Sequence, residues 1–292
     1  MPASVLFCSD PLSPSRVDSY FRGQADALLA AGAAVMLIDH DALLRGETAQ
    51  AVRRVPQGIG PCWYRGWMIP GVRYAELERA LAARGGQLIT NASAYRRAHE
   101  LPGWYPTFAS VTPRSAWMAV AANENLPSAV LEQLARPLGG GAAVVKDFVK
   151  SRKHEWHEAC YVPNVEDPAG LHMVVSRFVE RQGDDLAGGI VIRAFEAFVS
   201  SGPDAGEARV WWLDGQPVLI GPHPDSPEVA PQPELAEIGP LVSALGCRFI
   251  ITDIARHADG RWRVVEVGDG QVSDLPTTLP PSVIAQAMAA AP

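Results

Sequence analysis

Ile251-Thr252-Asp253-Ile254 and Val264-Val265-Glu266-Val267-Gly268-Asp269 are two runs rich in β-branched residues, with the turn signal Ala258-Asp259-Gly260 between them. The pair reads as a β-hairpin near the end of the chain. Alternation along a strand puts Ile251 and Asp253 on one face, and Val264, Glu266 and Gly268 on one face. Each strand thus carries one carboxylate inside an otherwise apolar run. A carboxylate is costly to bury without a cation, and two facing carboxylates call for a divalent one. Asp253 and Glu266 are therefore candidate metal ligands. The competing reading is a half-exposed sheet with both acids in water.

Working outward from the hairpin, the segments 142–148 and 159–162 read as strands, 169–182 as a helix, and 189–199 and 208–213 as strands. Asp214-Gly215 then turns the chain into 217–220, a strong hairpin signal between two apolar runs. A proline-rich loop over 223–233 precedes a helix over 234–245, and strands 248–255 and 262–267 end the series. Gly139-Gly140-Gly141 marks its start.

The N-terminal region has a different rhythm. Val5-Leu6-Phe7-Cys8 is a buried strand, 17–31 is a helix closed by Gly32, and Ala34-Val35-Met36-Leu37-Ile38 is a second strand. This is a βαβ unit. No GxGxxG follows the first strand, so the turn that cradles dinucleotide phosphates is missing and the unit reads as a Rossmann-like scaffold without its usual ligand. A strand and turn at 62–67, a helix over 74–84 stopped by Gly85-Gly86, and a strand at 87–90 complete a first domain ending near residue 100. The stretch 99–113, rich in Pro, Gly and aromatics, suits an interdomain connection, and 128–134 a short helix.

The chain has 292 residues, nearly half of them apolar, with 8 Trp, 6 Tyr and 8 Phe. It can bury enough surface for a multi-lobed globular protein. A net charge of −7 argues against a nucleic-acid partner held by phosphate neutralisation. Cys8, Cys62, Cys160 and Cys247 are far apart and read as reduced, buried thiols. No apolar run is long enough for a membrane span, and residues 1–10 lack the features of a signal peptide, so the expected compartment is the cytoplasm.

Three further sites carry candidate chemistry. Lys146 closes the apolar run Ala142-Ala143-Val144-Val145 and precedes the basic loop Lys150-Ser151-Arg152-Lys153-His154, an arrangement suited to a polyphosphate. Glu196, Ala197 and Phe198 end a strand that can present backbone groups to a planar base, and Arg209 on the next strand can reach phosphate oxygens. Arg65, set among Trp63, Tyr64 and Trp67, suits a substrate carboxylate. His154-Glu155-Trp156-His157 lacks the four-residue histidine spacing of helical zinc proteases.

Taken in order, VVKDFVKSRKH, a helix, IVIRAFEAF, EARVWWLDGQPV, FIITDIA and VVEVGDG resemble the ATP-grasp superfamily, nearest to a divergent bacterial clade, over about residues 140–275. The leading βαβ region is similar to its pre-ATP-grasp domain. The resemblance implies an α/β (α+β) protein: a Rossmann-like pre-ATP-grasp domain over 1–105, then an ATP-grasp domain over 106–292 with subdomains 106–188 and 189–292. It implies that Lys146 and Arg209 contact ATP phosphates, that Glu196, Ala197 and Phe198 form the hinge over adenine, and that Asp253 and Glu266 hold Mg²⁺. Two departures stand out: the loop 149–155 has no glycine, and Gly268 takes the usual Asn place, leaving Asp269 or Gln271 as substitutes. The implied function is a carboxylate–amine ligase working through an acyl phosphate. Arg209 and Lys150 would be catalytic, and Arg65 would hold the substrate. An ATP-dependent phosphotransferase and a non-catalytic nucleotide-binding protein are the alternatives. The partners are then ATP, a small carboxylate and an amine, an amino acid or peptide among them, with a homodimer compatible with the sequence.

Overall fold

A computed structural model describes residues 3–202, 205–229, 231–276 and 278–291. The chain forms three four-stranded sheets. The first contains β1 (Ser4–Cys8), β2 (Ala34–Ile38), β3 (Gly60–Arg65) and β4 (Gly86–Leu88), all parallel, in the order β2-β1-β3-β4. Helix α1 (Arg22–Ala30) makes the first crossover, as the βαβ reading expects; α2 (His40–Leu44), α3 (Thr48–Ala51), α4 (Gly71–Ala82) and α5 (Ala92–His99) follow.

Alternation gives this sheet two buried faces. Leu6, Cys8, Ile38 and Tyr64 pack with Leu43, Leu77 and Tyr95 from the helices. Val5, Phe7 and Trp63 face the other way, into a core shared with Phe21, Leu28, Trp211, Phe249 and Ile251. The first sheet is thereby joined to the third through apolar contact.

α6 (Leu101–Phe108) leads into the second sheet, which holds β5 (Ser115–Ala119), β6 (Ala143–Asp147), β7 (Tyr161–Val162) and β8 (Gly189–Ala194). It is antiparallel, in the order β5-β8-β6-β7. One face packs under α7 (Ser128–Ala135) and α9 (Pro168–Gln182), using Val145, Ile190 and Ile192 against Leu131, Leu171 and Phe178; the short α8 (Trp156–Ala159) lies before β7. The third sheet holds β9 (Glu207–Leu213), β10 (Gln216–Pro222), β11 (Phe249–Arg256) and β12 (Trp262–Asp269), antiparallel in the order β10-β9-β11-β12. α10 (Gly239–Leu245) and α11 (Ser282–Ala290) complete the chain. The β9–β10 turn has Asp214 at φ 49° and Gly215 at φ 77°, the left-handed pair that an Asp-Gly hairpin requires.

The structure differs from the sequence reading in several places. Residues 99–113, expected to be a connection, contain α6. Its Leu101, Trp104 and Phe108 form an apolar stripe against Trp212, Ile250 and Ile254, which fixes the helix despite Gly103 and Pro106. That helix runs through the expected 105/106 boundary. β8 pairs with β5 and β6, so the strand placed at the head of the later subdomain belongs to the earlier sheet, and the crossing to the third sheet falls after Ala194. The expected helix over 234–245 is helical only from Gly239. β5, α5 and α11 have no counterpart in the sequence reading. All four cysteines are free and buried, and no described helix is long and apolar enough to cross a membrane.

Candidate active site at the cleft between the second and third sheets

One face of the third sheet is apolar where it meets the first sheet and charged farther along. Trp211 and Ile251 lie in the apolar part. Two residues on, Arg209 and Asp253 are register partners across β9 and β11, and Asp253 and Glu266 are register partners across β11 and β12. Three charged side chains thus stand in a row across three strands. A β-bulge follows at once: Ile254 pairs with Val264, leaving Val265 as the extra residue. Strict alternation would put Val264 with Glu266, but Val264 is instead buried on the opposite face with Ile254 and Trp212.

The row supplies its own cation. Arg209 Nε and Nη2 donate to Asp253 Oδ1 and Oδ2 at 2.8 and 2.9 Å, a bidentate pair. His223, just past β10, places Nε2 3.1 Å from Arg209 Nη2 and 3.5 Å from Asp253 Oδ2. Burial alone would raise the Asp253 pKa, but the Arg209 guanidinium, helped by His223, holds it down at about 2. Burial opposes the charged form of His223 as well, yet Asp253 outweighs it and raises the imidazole pKa. Glu207, two residues before Arg209 on β9, has its carboxyl raised by burial and by the Asp253 charge. Glu207, His223 and Asp253 each offer a ligand atom, and these atoms lie within 4.8 Å of one another.

Lys146 approaches from the second sheet. It is 6% exposed at the end of β6, and its Nζ donates to Glu266 Oε1 at 3.3 Å. Beyond it, Asp147 is fully buried and accepts from the backbone N–H groups of Val149, Lys150 and Ala187 and from Gln182 Nε2. These bonds shape the start of the basic loop without glycine. The Lys150 side chain is exposed. Lys150 and Lys146 both act on buried His99, whose pKa is lowered to about 4, chiefly by burial and further by the two lysine charges. Lys153 reaches over the cleft to an ion pair with Asp225.

The segment after β8 is latched to the β11–β12 hairpin. Glu196 accepts both Arg263 Nε and Nη2, at 2.9 and 2.8 Å, and the Ala197 carbonyl accepts the Ala258 N–H. Phe198 bridges to His257, and Val199 N–H donates to the Arg256 carbonyl.

Two expected site residues lie elsewhere. Asp269 has odd spacing from Glu266 and lands on the opposite face, fully buried, where the Gln271 backbone N–H and side-chain Nε2 donate to its Oδ1. Gln271 is itself committed to Tyr64 and Tyr74. Neither residue stands in for the missing Asn beside Asp253 and Glu266. Arg65, expected on a cleft wall, is 1% exposed and sealed at the junction of the first and third sheets. It donates to Gln24 and the Gln271 carbonyl, and it lies over the rings of Phe21 and Trp211. Burial lowers its pKa to about 10. The large aromatics around it are packing partners of the joint.

Burial also drives the Asp269 carboxyl up to about 7, and its Oδ2 has no partner. A carboxyl raised in the folded state contributes stability that is fully present below its unfolded pKa of about 3.9 and is lost as pH rises through 7. Asp269→Asn is therefore expected to stabilise the protein at pH 8 by on the order of 2–4 kcal/mol, with little gain at pH 4. Urea unfolding at both values tests this, and an equal gain at both would refute a protonated Asp269.

The sequence reading singles out Asp253, Glu266, Lys146 and Arg209 but gives no role to Glu207 or His223. Glu207 has a signal, its even spacing from Arg209 on one strand. His223 has none, because a proline-rich loop brings it to the sheet.

The folds of several solved ATP-grasp proteins match over nearly the whole chain. D-cycloserine synthetase DcsG has a TM-score of 0.60 at 15% identity, covering 98% of this chain and 99% of that one. A RimK domain ATP-grasp protein from Sphaerobacter thermophilus has a TM-score of 0.58 at 15% identity, with 97% and 98% covered. The ATP-grasp ligase PsnB, solved with minimal precursor, Mg and ADP, has a TM-score of 0.56 at 13% identity, with 98% and 96% covered. No curated protein sequence matches. The fold is thus that of ATP-grasp proteins. Residues 137–288, just over half of the chain, match the family model for an ATP-grasp domain, the third family of its clade, and the chain belongs to that family.

Proposed function

We propose that this protein is an ATP-dependent carboxylate–amine ligase using Mg²⁺. The observation that carries this reading is the meeting of Lys146 from the second sheet with Glu266, beside the Arg209–Asp253 pair on the third. Neighbouring folds that are ligases, one solved with Mg and ADP, support it.

The donor set fits the metal, since carboxylate oxygens are the preferred ligands of Mg²⁺. Asp253 and Glu266 would hold it, with Glu207 and His223 alongside. Bound there, Mg²⁺ would offset charge on the ATP phosphates. Lys146 and Arg209 supply fixed positive charge for the phosphoryl group in transfer. Residues 196–198, latched at the crossing between the sheets, form the hinge over adenine. Lys150 and the basic loop exclude water from the acyl phosphate. A substrate carboxylate oxygen attacks the γ-phosphorus and ADP leaves. The amine nitrogen then attacks the acyl carbon, expels phosphate and loses a proton.

The test couples ADP release to trapping. With Mg²⁺ and ATP, a panel of amino acids and short peptides is screened with hydroxylamine as a small nucleophile, and hydroxamates are sought by mass spectrometry. Mg²⁺-dependent ADP release with a hydroxamate is the expected result. A phosphorylated product that resists hydroxylamine would favour a phosphotransferase. Tight ATP binding with no turnover would favour a nucleotide-binding role, for which Arg209's hold on both Asp253 oxygens is the structural argument.

A further inference from the structure

The first sheet has a feature that the phosphate-handling cluster does not use. Its strand order runs outward in both directions from β1 and β3, and ligands in open parallel sheets bind beyond the carboxyl ends of the strands at such a reversal. There the structure has a hollow of about 190 Å³, bounded by the ends of β1, β2 and β3. Asp10, Asp18, Asp39 and Asp41 line it, together with Ser9 and Trp67.

The lining selects a cation. Asp10 and Asp39 use Oδ1 to accept local backbone N–H groups, with no bond to Oδ2 among the described residues. Asp41 is largely exposed. Arg45, also at the rim, is paired with Glu47. His40 Nε2 is directed to the Met68 carbonyl. Four carboxylates with the nearest guanidinium engaged elsewhere exclude a carboxylate or phosphate ligand. Ser9 is only 8% exposed, and its hydroxyl has no hydrogen-bond partner among the described residues. It is a buried polar group lining the hollow and lacking a protein partner.

The size and the aromatic wall favour an organic cation over a bare metal ion. A single water needs only about 10–15 Å³ by a comparable measure, so the hollow holds several non-hydrogen atoms. Trp67 is 37% exposed and is fixed by its indole N–H to Asp18 Oδ2 at 2.9 Å. Its face is available to an ammonium. The hollow is also connected to the charged cleft. Trp67 packs on Tyr20 with ring centroids 4.9 Å apart, Tyr20 donates to Asp274 Oδ1, and the Asp274 carbonyl accepts from Arg209 Nη1. Resting on the ligase reading, we propose that this hollow binds the primary-amine substrate as its ammonium ion and sets the enzyme's choice of amine.

Binding of putrescine, glycinamide and ethanolamine is measured by saturation-transfer NMR and calorimetry on the full-length protein, with N-acetylated glycinamide as the uncharged control. At least one amine is expected to bind and the control to fail. Asp10→Asn with Asp41→Asn, which removes two charges while keeping acceptor oxygens, should weaken that amine at least tenfold, and Trp67→Leu should weaken it separately. ATP titrated into the same samples keeps the two readings apart. Amine binding with no ATP binding sinks the ligase reading alone, and ATP binding with no amine binding sinks this assignment alone. Equal affinity of the double variant for the amine, or displacement of the amine by millimolar Mg²⁺ with equal loss on both variants, would overturn it.

Discussion

Asp253→Asn is expected to lower both stability and turnover, by about 3 kcal/mol in stability and at least a hundredfold in kcat. Two neighbouring carboxylates in an apolar sheet would repel each other without a cation, and on that basis alone removing one charge would stabilise the chain. The structure reverses the sign. Asp253 is 2% exposed and already paired with Arg209 through both oxygens, so the substitution leaves a buried guanidinium without its counter-charge. The pH dependence follows from the same pair. A carboxyl held at about 2 contributes stability above its unfolded pKa of about 3.9, and that contribution is lost as pH falls toward 2. Wild type should therefore show an acid unfolding limb below pH 4 that is shallower in the variant. Chemical denaturation across pH 2–7, with turnover at neutral pH, checks both halves; an unchanged denaturation midpoint would mean that the Arg209 pair contributes nothing net.

Lys146→Ala has the opposite profile. Its partner Glu266 keeps 39% of its side-chain exposure, so the abandoned carboxylate can regain water and the fold should lose no more than about 1 kcal/mol. ATP affinity should nevertheless fall by ten- to a hundredfold, the scale of one charge-assisted contact at about 1.5–3 kcal/mol. Calorimetric titration of ATP into both forms measures it. Equal affinities would remove Lys146 from the nucleotide site, and a large fall in melting temperature would make it a structural lysine.

Strands with strong patterns are readable from the sequence because their own residues state the face they bury. Val5 to Cys8, Ile190 to Ile192 and the hairpin around Asp253 are cases in point, and Lys146, Arg209, Asp253 and Glu266 stand out as interruptions of such runs. What escapes depends on partners distant in sequence. α6 looks like a linker until Trp212 and Ile250 are there to receive Leu101, Trp104 and Phe108. Arg65 looks like a substrate anchor until Gln24 and the Gln271 carbonyl close around it. The face of Asp269 follows from counting two strands' worth of alternation, but its neighbours Tyr74 and Gln271 come from opposite ends of the chain. His223 sits where a loop delivers it, and no periodicity governs a loop.

The extra residue Val265 works as a phase slip. In an unbroken strand, side chains three apart point in opposite directions. With the slip, Glu266 opposite Asp253 and Arg263 opposite Ala255 both come to the side of the strand that Asp253 and Ala255 share. One short stretch of β12 therefore carries the acid that meets Lys146 and the arginine that latches Glu196. A pull on either end is felt at the other through two peptide units of backbone. The slip thus gives a rigid strand a lever, through which engagement of the acid can be transmitted to the crossing between the two sheets.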